Sequence, residues 1–515
     1  MNGKFTLLEK KMKENPNIIL IMTDQQQARV CGREGFPLDV TPHQDKMAQE
    51  GAWFNKAYTS APLCGPARVS MFTGRYATAT GVRGNSITSA RYSKDLIDVL
   101  KEKGYKTALI GKNHTHITED KYDFWYEHGH QGAHFDHGEA GKDRTTEDIE
   151  FDSWLRSLHH WIHSEPTPFS VECQSPHRLV NAAHKWVKKI KYDSPFFIHL
   201  SISEPHNPYQ VPEPYFSLFR DSKLPPIYGN KNSYREKGFK YKFVGELERK
   251  SREDFDEKFD DYRYNYYAMC RLIDDQLNRL ENLLSEEGVL ENTVIFFVSD
   301  HGDFVGDYGL MRKGPGLPES LCRIPFFVKG PGIKSESKAS DAHVNLVDIM
   351  PTICEMIDVK IPEGVQGKSL VPLLRGEDVH GREFDTAFVE TGYGGLDYNE
   401  EDKPDFNKYI SPNEISFNEL NQYTLGGSMR MVRHKDWKLI VDNVGSTQLY
   451  NLNEDPAELN DLSDCSSVKA VQMKSLLLSK MTEKLIQNED PLCNVTETSS
   501  PDKKKLHLRN YFYSK

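Results

Sequence analysis

The sequence predicts an α/β protein built on a doubly wound, mainly parallel sheet covered by helices on both faces. Three observations carry that reading. Short continuous apolar runs recur along the chain, helix-periodic stretches lie between them, and after Gly376-Glu377-Asp378 the pattern gives way to shorter strands and turns. Runs without polar alternation mark strands buried on both faces, as in a parallel sheet between two helical layers. Such a sheet carries its ligand site at the carboxyl ends of the strands.

The first run, Asn17-Ile18-Ile19-Leu20-Ile21-Met22-Thr23, ends at Asp24. A helix follows over residues 41–51, with Thr41 as N-cap, Pro42 in the first turn and Gly51 as the stop. Further strands are predicted at Lys106–Ile110, Pro195–Ser201 and Thr293–Ser299, with helices at Leu96–Lys103 and Tyr266–Leu284 among those between them. Two stretches interrupt the alternation, one rich in histidine and aromatic residues near Lys121–His163 and one rich in charge near Pro208–Asp261. Both are expected to form loops over the site. In the tail, Trp437–Val441 and Gln448–Leu452 are the clearest strands. The expected division is a large α/β domain over residues 1–378 and a smaller domain over 379–515.

Composition narrows the function classes. Against 76 Asp and Glu stand 65 Lys and Arg, and the net charge of -11 excludes the basic footprint that a general nucleic-acid binder needs. Lys503-Lys504-Lys505 reads as solvated surface. Apolar content of 37% and a mean hydropathy of -0.64 describe a globular chain with enough core. Eight cysteines, at 31, 64, 173, 270, 322, 354, 465 and 493, include no C-x-x-C pair, which excludes a disulfide or zinc framework. Met1–Pro16 has no apolar core of a leader, and Ile18–Met22 is too short to span a bilayer. The expectation is a cytoplasmic protein without a membrane partner, or a periplasmic or secreted one if a leader precedes this sequence.

Cys64 is followed by Pro66 and, later, Gly74, so a short helix is expected from Pro66 to Gly74 with Cys64 just before its N-terminus. Free N–H groups and the positive dipole end suit a thiolate, a phosphate or a sulfate there, although a lone cysteine is more often simple packing. Asp24 ends the first strand, and Asp300-His301 end the strand through Val298-Ser299. Carboxylates after strands are common turn residues. Two of them flanking a nucleophile segment also make an oxygen-rich site for a divalent cation.

The run Cys64-Gly65-Pro66-Ala67-Arg68, continued by Val69-Ser70-Met71-Phe72-Thr73-Gly74-Arg75, resembles the Cys-x-Pro-x-Arg signature of type I sulfatases, in the alkaline phosphatase superfamily. The resemblance extends through Gly111-Lys112-Asn113-His114, Glu204-Pro205-His206-Asn207-Pro208 and Gly309-Leu310-Met311-Arg312-Lys313. It reaches the tail at Gln366–Leu374 and Leu449–Glu458, and so covers nearly the whole chain. It implies a large mixed, mostly parallel sheet sandwiched by helices, with a smaller C-terminal α+β domain carrying an antiparallel sheet. It also implies that a maturation enzyme oxidises Cys64 to formylglycine. One hydroxyl of the hydrated aldehyde attacks sulfur, and the other drives collapse of the sulfated intermediate.

Residue by residue, the resemblance makes Asp24, Gln25, residue 64, Asp300 and His301 the holders of a calcium ion. Asp24-Gln25 and Asp300-His301 stand where Asp-Asp and Asp-Asn or Asp-Gln are commoner, which keeps manganese or magnesium as alternatives. Arg68 belongs to the signature's catalytic set. Lys112 contacts sulfate and nucleophile, His114 is the base of the collapse step, and His206 and Lys313 bind sulfate, with His206 also a leaving-group acid and Arg312 a neighbouring alternative to Lys313. Cationic groups around one tetrahedral anion offset the charge that develops in transfer.

The activity implied is hydrolysis of a sulfate ester, first of all on a carbohydrate, with a sulfated glycan or small molecule and the maturase as partners. Two alternatives stand beside it. A phosphonate or phosphate ester hydrolase of the same superfamily shares the Cys-Gly-Pro-Ala-Arg run, but Lys112 and His114 weigh toward sulfate; a non-catalytic sulfated-glycan binder would keep Cys64 unmodified. His128, His130, His134, His137, His159, His160 and His163 have no fixed ligand spacing and are expected to face solvent or line substrate. The sequons at Asn113-His114-Thr115 and Asn494-Val495-Thr496 carry little weight without a secretory signal.

Overall fold

A computed structural model describes residues 15–489, apart from 88, 134–137, 191–193, 336–337, 412–415 and 418. His134, His137, Cys493, the sequon at 494–496 and Lys503–Lys505 lie outside the described residues. Nine strands form the main sheet: β1 Asn17–Asp24, β2 Ala52–Tyr58, β3 Lys106–Gly111, β4 Phe124–Gly129, β5 Gly132–Ala133, β6 Phe196–Pro205, β7 Thr293–Ser299, β8 Phe326–Lys329 and β9 Ser340–Asn345. Their order is β5-β4-β3-β6-β1-β7-β8-β2-β9, with five parallel and three antiparallel pairings. This is the mixed, mostly parallel sheet that the sequence predicts.

The apolar run of β1 explains its central place. Ile18, Leu20 and Met22 enter one hydrophobic layer with Met71 and Phe72 of the helix Cys64–Thr73 and Leu100 of the helix Leu96–Glu102. Ile19 and Ile21 enter the opposite layer with Met47, Leu179 and Leu277, from the helices Pro42–Gln49, Ser175–Ile190 and Phe259–Glu286. Each such side chain, fully buried, contributes roughly 1.5–3 kcal/mol, so a polar substitution on either face of β1 is disruptive.

Strand register then sets the chemistry. Thr23 pairs with Ser299, and the Asp300 N–H donates to the Thr23 carbonyl at 3.1 Å. Gly111 pairs with Ser201, and the Lys112 N–H donates to the Ser201 carbonyl at 2.9 Å. Between β1 and β6 the register shifts after Thr23, so that Asp24 lies opposite Pro205, next to His206. Residues 24, 112, 206 and 300 thereby gather at one carboxyl edge. Gly111 makes this close approach possible: its φ is +111°, and a Cβ there would lie 1.9 Å from the Ser201 carbonyl oxygen.

Several expectations need correction. The helix that carries Cys64 begins at Cys64, not Pro66, so Cys64 occupies its first turn; Leu63, in extended conformation, is the N-cap and Gly74, at φ +64°, closes the helix. The first interrupting stretch is not loop throughout. Trp125 and Tyr126 bury themselves, with Phe124 half-buried, in β4, parallel to β3, and Thr146–Ser157 is a helix capped by Thr145. The second stretch contains the helix Phe239–Ser251, and the helix expected from Tyr266 starts at Phe259 because Phe259 and Tyr262 belong to a buried aromatic cluster.

After the main sheet, β10 Thr386–Gly394 is followed by a two-stranded pair, β11 Ile410–Ser411 and β12 Ser416–Phe417. Then β13 Gly427–His434, β14 Trp437–Asp442 and β15 Thr447–Asn451 complete an antiparallel sheet in the order β10-β13-β14-β15. The helix Val468–Gln487 covers it through Ala470, Leu477 and Met481. The seven described cysteines are all free. Among the described residues no helix is long and apolar enough to cross a membrane.

Candidate active site

Cys64 lies at the base of the carboxyl edge, buried, with its Sγ 3.2 Å from His301 Nε2 and 3.6 Å from Asp24 Oδ1. Arg68, one helical turn on, projects from the same face. Its guanidinium is wholly buried and bonds Asp300 through Nε at 2.9 Å, Asp24 through Nη2 at 3.1 Å and Ser201 Oγ through Nη1 at 2.7 Å. Arg68 therefore spaces the two carboxylates. Its Nη1 also donates to the Lys112 carbonyl at 3.3 Å.

Asp24, Cys64, Asp300 and His301 each offer a ligand atom, and all four atoms lie within 4.8 Å of one another. The His301 Nδ1 lies 2.8 Å from the Gly302 carbonyl, which only accepts, so Nδ1 carries a proton and Nε2 is the ring nitrogen that faces the cluster. Burial alone would lower His301, but Asp300 and Cys64 beside it push it up to about 9. Burial and Asp24 together raise Asp300. The cluster thus draws positive charge, and its oxygen, sulfur and imidazole donors fit a divalent cation. Gln25 stands beside this group at φ +69°; its side-chain oxygen takes Lys313 Nζ at 2.6 Å and its amide donates to Asp303 at 2.8 Å.

The cations close the other side. Lys112 Nζ bonds Asp24 Oδ2 and lies 2.7 Å from His130 Nε2. Lys313 Nζ lies 2.9 Å from His206 Nε2, whose ring donates from Nδ1 to the Asn207 carbonyl at 2.7 Å. Burial raises the Cys64 thiol and Asp24 adds to that, yet Lys112, Lys313 and His301 outweigh both and hold it well below the usual thiol range. Burial would also raise Asp24, but Lys112 and Arg68 hold it well below the usual carboxylate range. His206 is lowered well below its ordinary value by burial, His130 and Lys313, so its ring is uncharged at neutral pH.

His114, at φ +46°, stands further out: its Nε2 is 3.2 Å from the Asn85 carbonyl, and Asn85 Oδ1 accepts the Gly65 N–H at 3.0 Å. It is thus tied to the nucleophile helix through Asn85. Of the predicted set, Asp24, Cys64, Arg68, Asp300 and His301 form one bonded cluster, Lys112 joins it through Asp24, and Lys313 brings in Gln25 and His206. Arg312 turns away, donating to the His160 carbonyl at 2.6 Å.

Two site residues, Asn85 and Asp303, escape the sequence reading, and two histidines expected only to face solvent or line substrate, His130 and His160, lie against the site. Asn85 bridges Gly65 and His114, and Asp303 orients Gln25 while accepting from Tyr209 and Tyr262. His130 stacks on His206 with ring centroids 3.7 Å apart, and His160 lies beside it. His130 follows β4, so a strand assigned to the aromatic run would have marked it. From Lys112 and His114 a cleft of about 550 Å³ opens outward past His130, Gln131 and His160.

A family model described as Sulfatase matches residues 16–359. The chain is 30% identical to an arylsulfatase of Clostridium perfringens over 88% of this chain and 91% of that protein. It is 25% identical to an N-acetylglucosamine-6-O-sulfatase of Bacteroides thetaiotaomicron, over 94% and 89% of the two chains. Among solved structures, a phosphonate monoester hydrolase of Agrobacterium radiobacter superposes with a TM-score of 0.74 at 21% identity, covering 95% of this chain and all of that one. That likeness establishes the alkaline-phosphatase-like fold, and the matches in sequence establish the lineage. The chain belongs to the sulfatase family and is a sulfate ester hydrolase.

Proposed function

We propose that this sulfatase cleaves a carbohydrate sulfate ester, with residue 64 as a formylglycine hydrate and with a divalent cation, calcium before manganese or magnesium, held by Asp24, Gln25, Asp300 and His301. One observation carries the reading: Cys64 Sγ, standing in for a diol oxygen, touches Asp24 and His301 while Lys112 and Lys313 draw its charge. When present, the oxidised residue supplies a diol able to attack sulfur and then release it, and the cation supplies Lewis-acid polarisation of a sulfate oxygen.

The chain's own groups do the rest. Arg68 fixes the spacing of Asp24 and Asp300, and His301 is oriented by the Gly302 carbonyl. Lys112 and Lys313 set two ammonium groups against the sulfuryl oxygens, where charge grows in the transition state. The Lys313–His206 pair holds the proton for the departing oxygen. His114, tethered beside the nucleophile by Asn85, is the base of the second stage. A sugar substrate is favoured by relatives such as the N-acetylglucosamine-6-O-sulfatase.

The test is expression of the full chain with and without a formylglycine-generating enzyme. Intact mass should show loss of sulfur and two hydrogens and gain of oxygen at residue 64. Only the matured protein should turn over 4-nitrophenyl sulfate, and faster than the matching phosphate or phosphonate monoester. A kcat/KM for the phosphonate higher by orders of magnitude would overturn the sulfate assignment.

A further inference from the structure

Gln25 is held at backbone and side chain alike. Its φ of +69° is left-handed, a region costly for any residue but glycine. It is kept there because its N–H donates to Asp300 Oδ1 at 3.2 Å and its carbonyl accepts the Tyr266 hydroxyl at 2.6 Å. Its carboxamide meets Lys313 Nζ at 2.6 Å through one atom and Asp303 Oδ2 at 2.8 Å through the other. An ammonium only donates, so the atom facing Lys313 is the oxygen, and the amide nitrogen is thereby turned to Asp303.

Asp303 is wholly buried and collects four donors on two oxygens. Its Oδ1 accepts the Val305 N–H at 2.9 Å and the Tyr262 hydroxyl; its Oδ2 accepts from Gln25 and from the Tyr209 hydroxyl at 3.1 Å. The two tyrosine rings brace each other edge to face, with centroids 4.5 Å apart. On the other side of Gln25, Lys313 has a second acceptor in His206 Nε2 at 2.9 Å, because the His206 ring donates from Nδ1 to the Asn207 carbonyl. Two of the three ammonium N–H groups are thus committed, and among the described residues the third has no acceptor. A tetrahedral ammonium with two directions fixed has its third fixed as well.

We propose that Asp303 is the positioning residue that sets the polarity of the Gln25 carboxamide, and that through it the third N–H of Lys313 is aimed at a sulfuryl oxygen. The proposal rests on the sulfatase reading above and adds the two residues that stand behind the lysine. It also gives position 25 a reason to be glutamine. A carboxylate there could accept from Lys313 but would confront Asp303 oxygen to oxygen, whereas a carboxamide accepts at one end and donates at the other.

The experiment exchanges the polarity, in the matured full chain at saturating calcium so that ion occupancy does not enter. In Asp303→Asn the fixed Val305 N–H keeps the amide oxygen, so the new NH2 group faces Gln25 and turns its carboxamide nitrogen toward Lys313. On 4-nitrophenyl sulfate kcat should fall about 10- to 100-fold, the equivalent of one hydrogen bond to a charged group. Gln25→Glu, which sets two carboxylates face to face, should fall at least as far. Combined, the two substitutions again give Lys313 an acceptor with a donor behind it, and kcat should return to within about tenfold of wild type. Beside Lys313→Met, Asp303→Asn should cost nothing further. A merely structural role makes the double variant worse than either single one, and that result, an unchanged Asp303→Asn, or a full further loss beside Lys313→Met overturns the proposal. Urea unfolding separates folding from chemistry, and the double variant, in which each donor meets an acceptor, carries the test where a single variant is too unstable to assay. The same series on 4-nitrophenyl phenylphosphonate keeps the two readings apart: a phosphonate preference sinks the sulfate assignment and leaves the rescue measurable.

Discussion

Two clusters of buried charge use the same residue types to opposite ends. Around Glu319 every charge meets its opposite: Oε1 takes Lys438 at 3.0 Å, Oε2 takes Arg433 at 2.9 Å and the Tyr58 hydroxyl at 2.8 Å, and Lys438 also reaches Glu458 at 2.7 Å. Burial would raise the Glu319 carboxyl, but Lys438 and Arg433 hold it down at about 2. Around Cys64 like charges are also neighbours: Asp24, Asp300 and the thiol crowd one side, with Arg68 and Lys112 bonded to the carboxylates, while Lys313 rests on Gln25 and His206. Asp24 is driven down and Asp300 up within one cluster. The first cluster balances itself and joins the two sheets. The second crowds three acidic groups together and drives two neighbouring carboxyls in opposite directions, which is the signature of a site.

Mutation tests the contrast. Cys64→Ala should reduce 4-nitrophenyl sulfate turnover by about four orders of magnitude or more, yet leave the melting temperature unchanged or higher, because one of three crowded anions is gone; a clear loss of stability by calorimetry would break the comparison. Lys313→Met should cost kcat on the order of 10²–10³-fold in steady-state assays. In the balanced cluster, Lys438→Met strands two buried carboxylates and should cost roughly 3–5 kcal/mol in urea unfolding, with kcat per folded molecule preserved.

Acid separates the clusters further. The ordinary Glu carboxyl titrates near 4.5 and Glu319 near about 2 in the fold, so the folded state prefers the carboxylate. Its contribution, on the order of 3 kcal/mol, is complete above pH 4.5 and is lost as pH falls from there toward 2. Wild type and Glu319→Gln should therefore differ in urea midpoint at pH 7 and converge in strong acid. The smallest effect is expected from chelation: EDTA should lower the melting temperature by a few degrees, with calcium restoring it ahead of manganese or magnesium.

Much of this architecture was legible in the sequence because β1, β3, β6 and β7 are buried on both faces and leave uninterrupted apolar runs. The residues that end them, Asp24, Lys112, His206 and Asp300, follow from that register. Cys64 and its helix were legible to within two residues, since Leu63 caps without a side-chain acceptor and gives no sign of the true start. β4 was missed because Glu127 and His128 interrupt its aromatic run at the sheet's flank, so His130, expected only to face solvent or line substrate, had no strand to place it. His160 depends on two consecutive left-handed residues, His159 and itself. Neither is a glycine that would announce the turn, so the sequence placed His160 only as facing solvent or lining substrate.

Arg68 has a consequence for ion choice. A guanidinium is a rigid planar fork, and this one is wedged between both acid groups in the folded chain before any metal arrives. For the proposed cation, the spacing of Asp24 and Asp300 would then be set by folding, and an incoming ion could not draw the carboxylates inward to suit itself. Selection among ions would rest on radius and on tolerance for an imidazole. Shortening the fork, as in Arg68→Lys, would loosen the gauge and blur the distinction between large and small divalent ions.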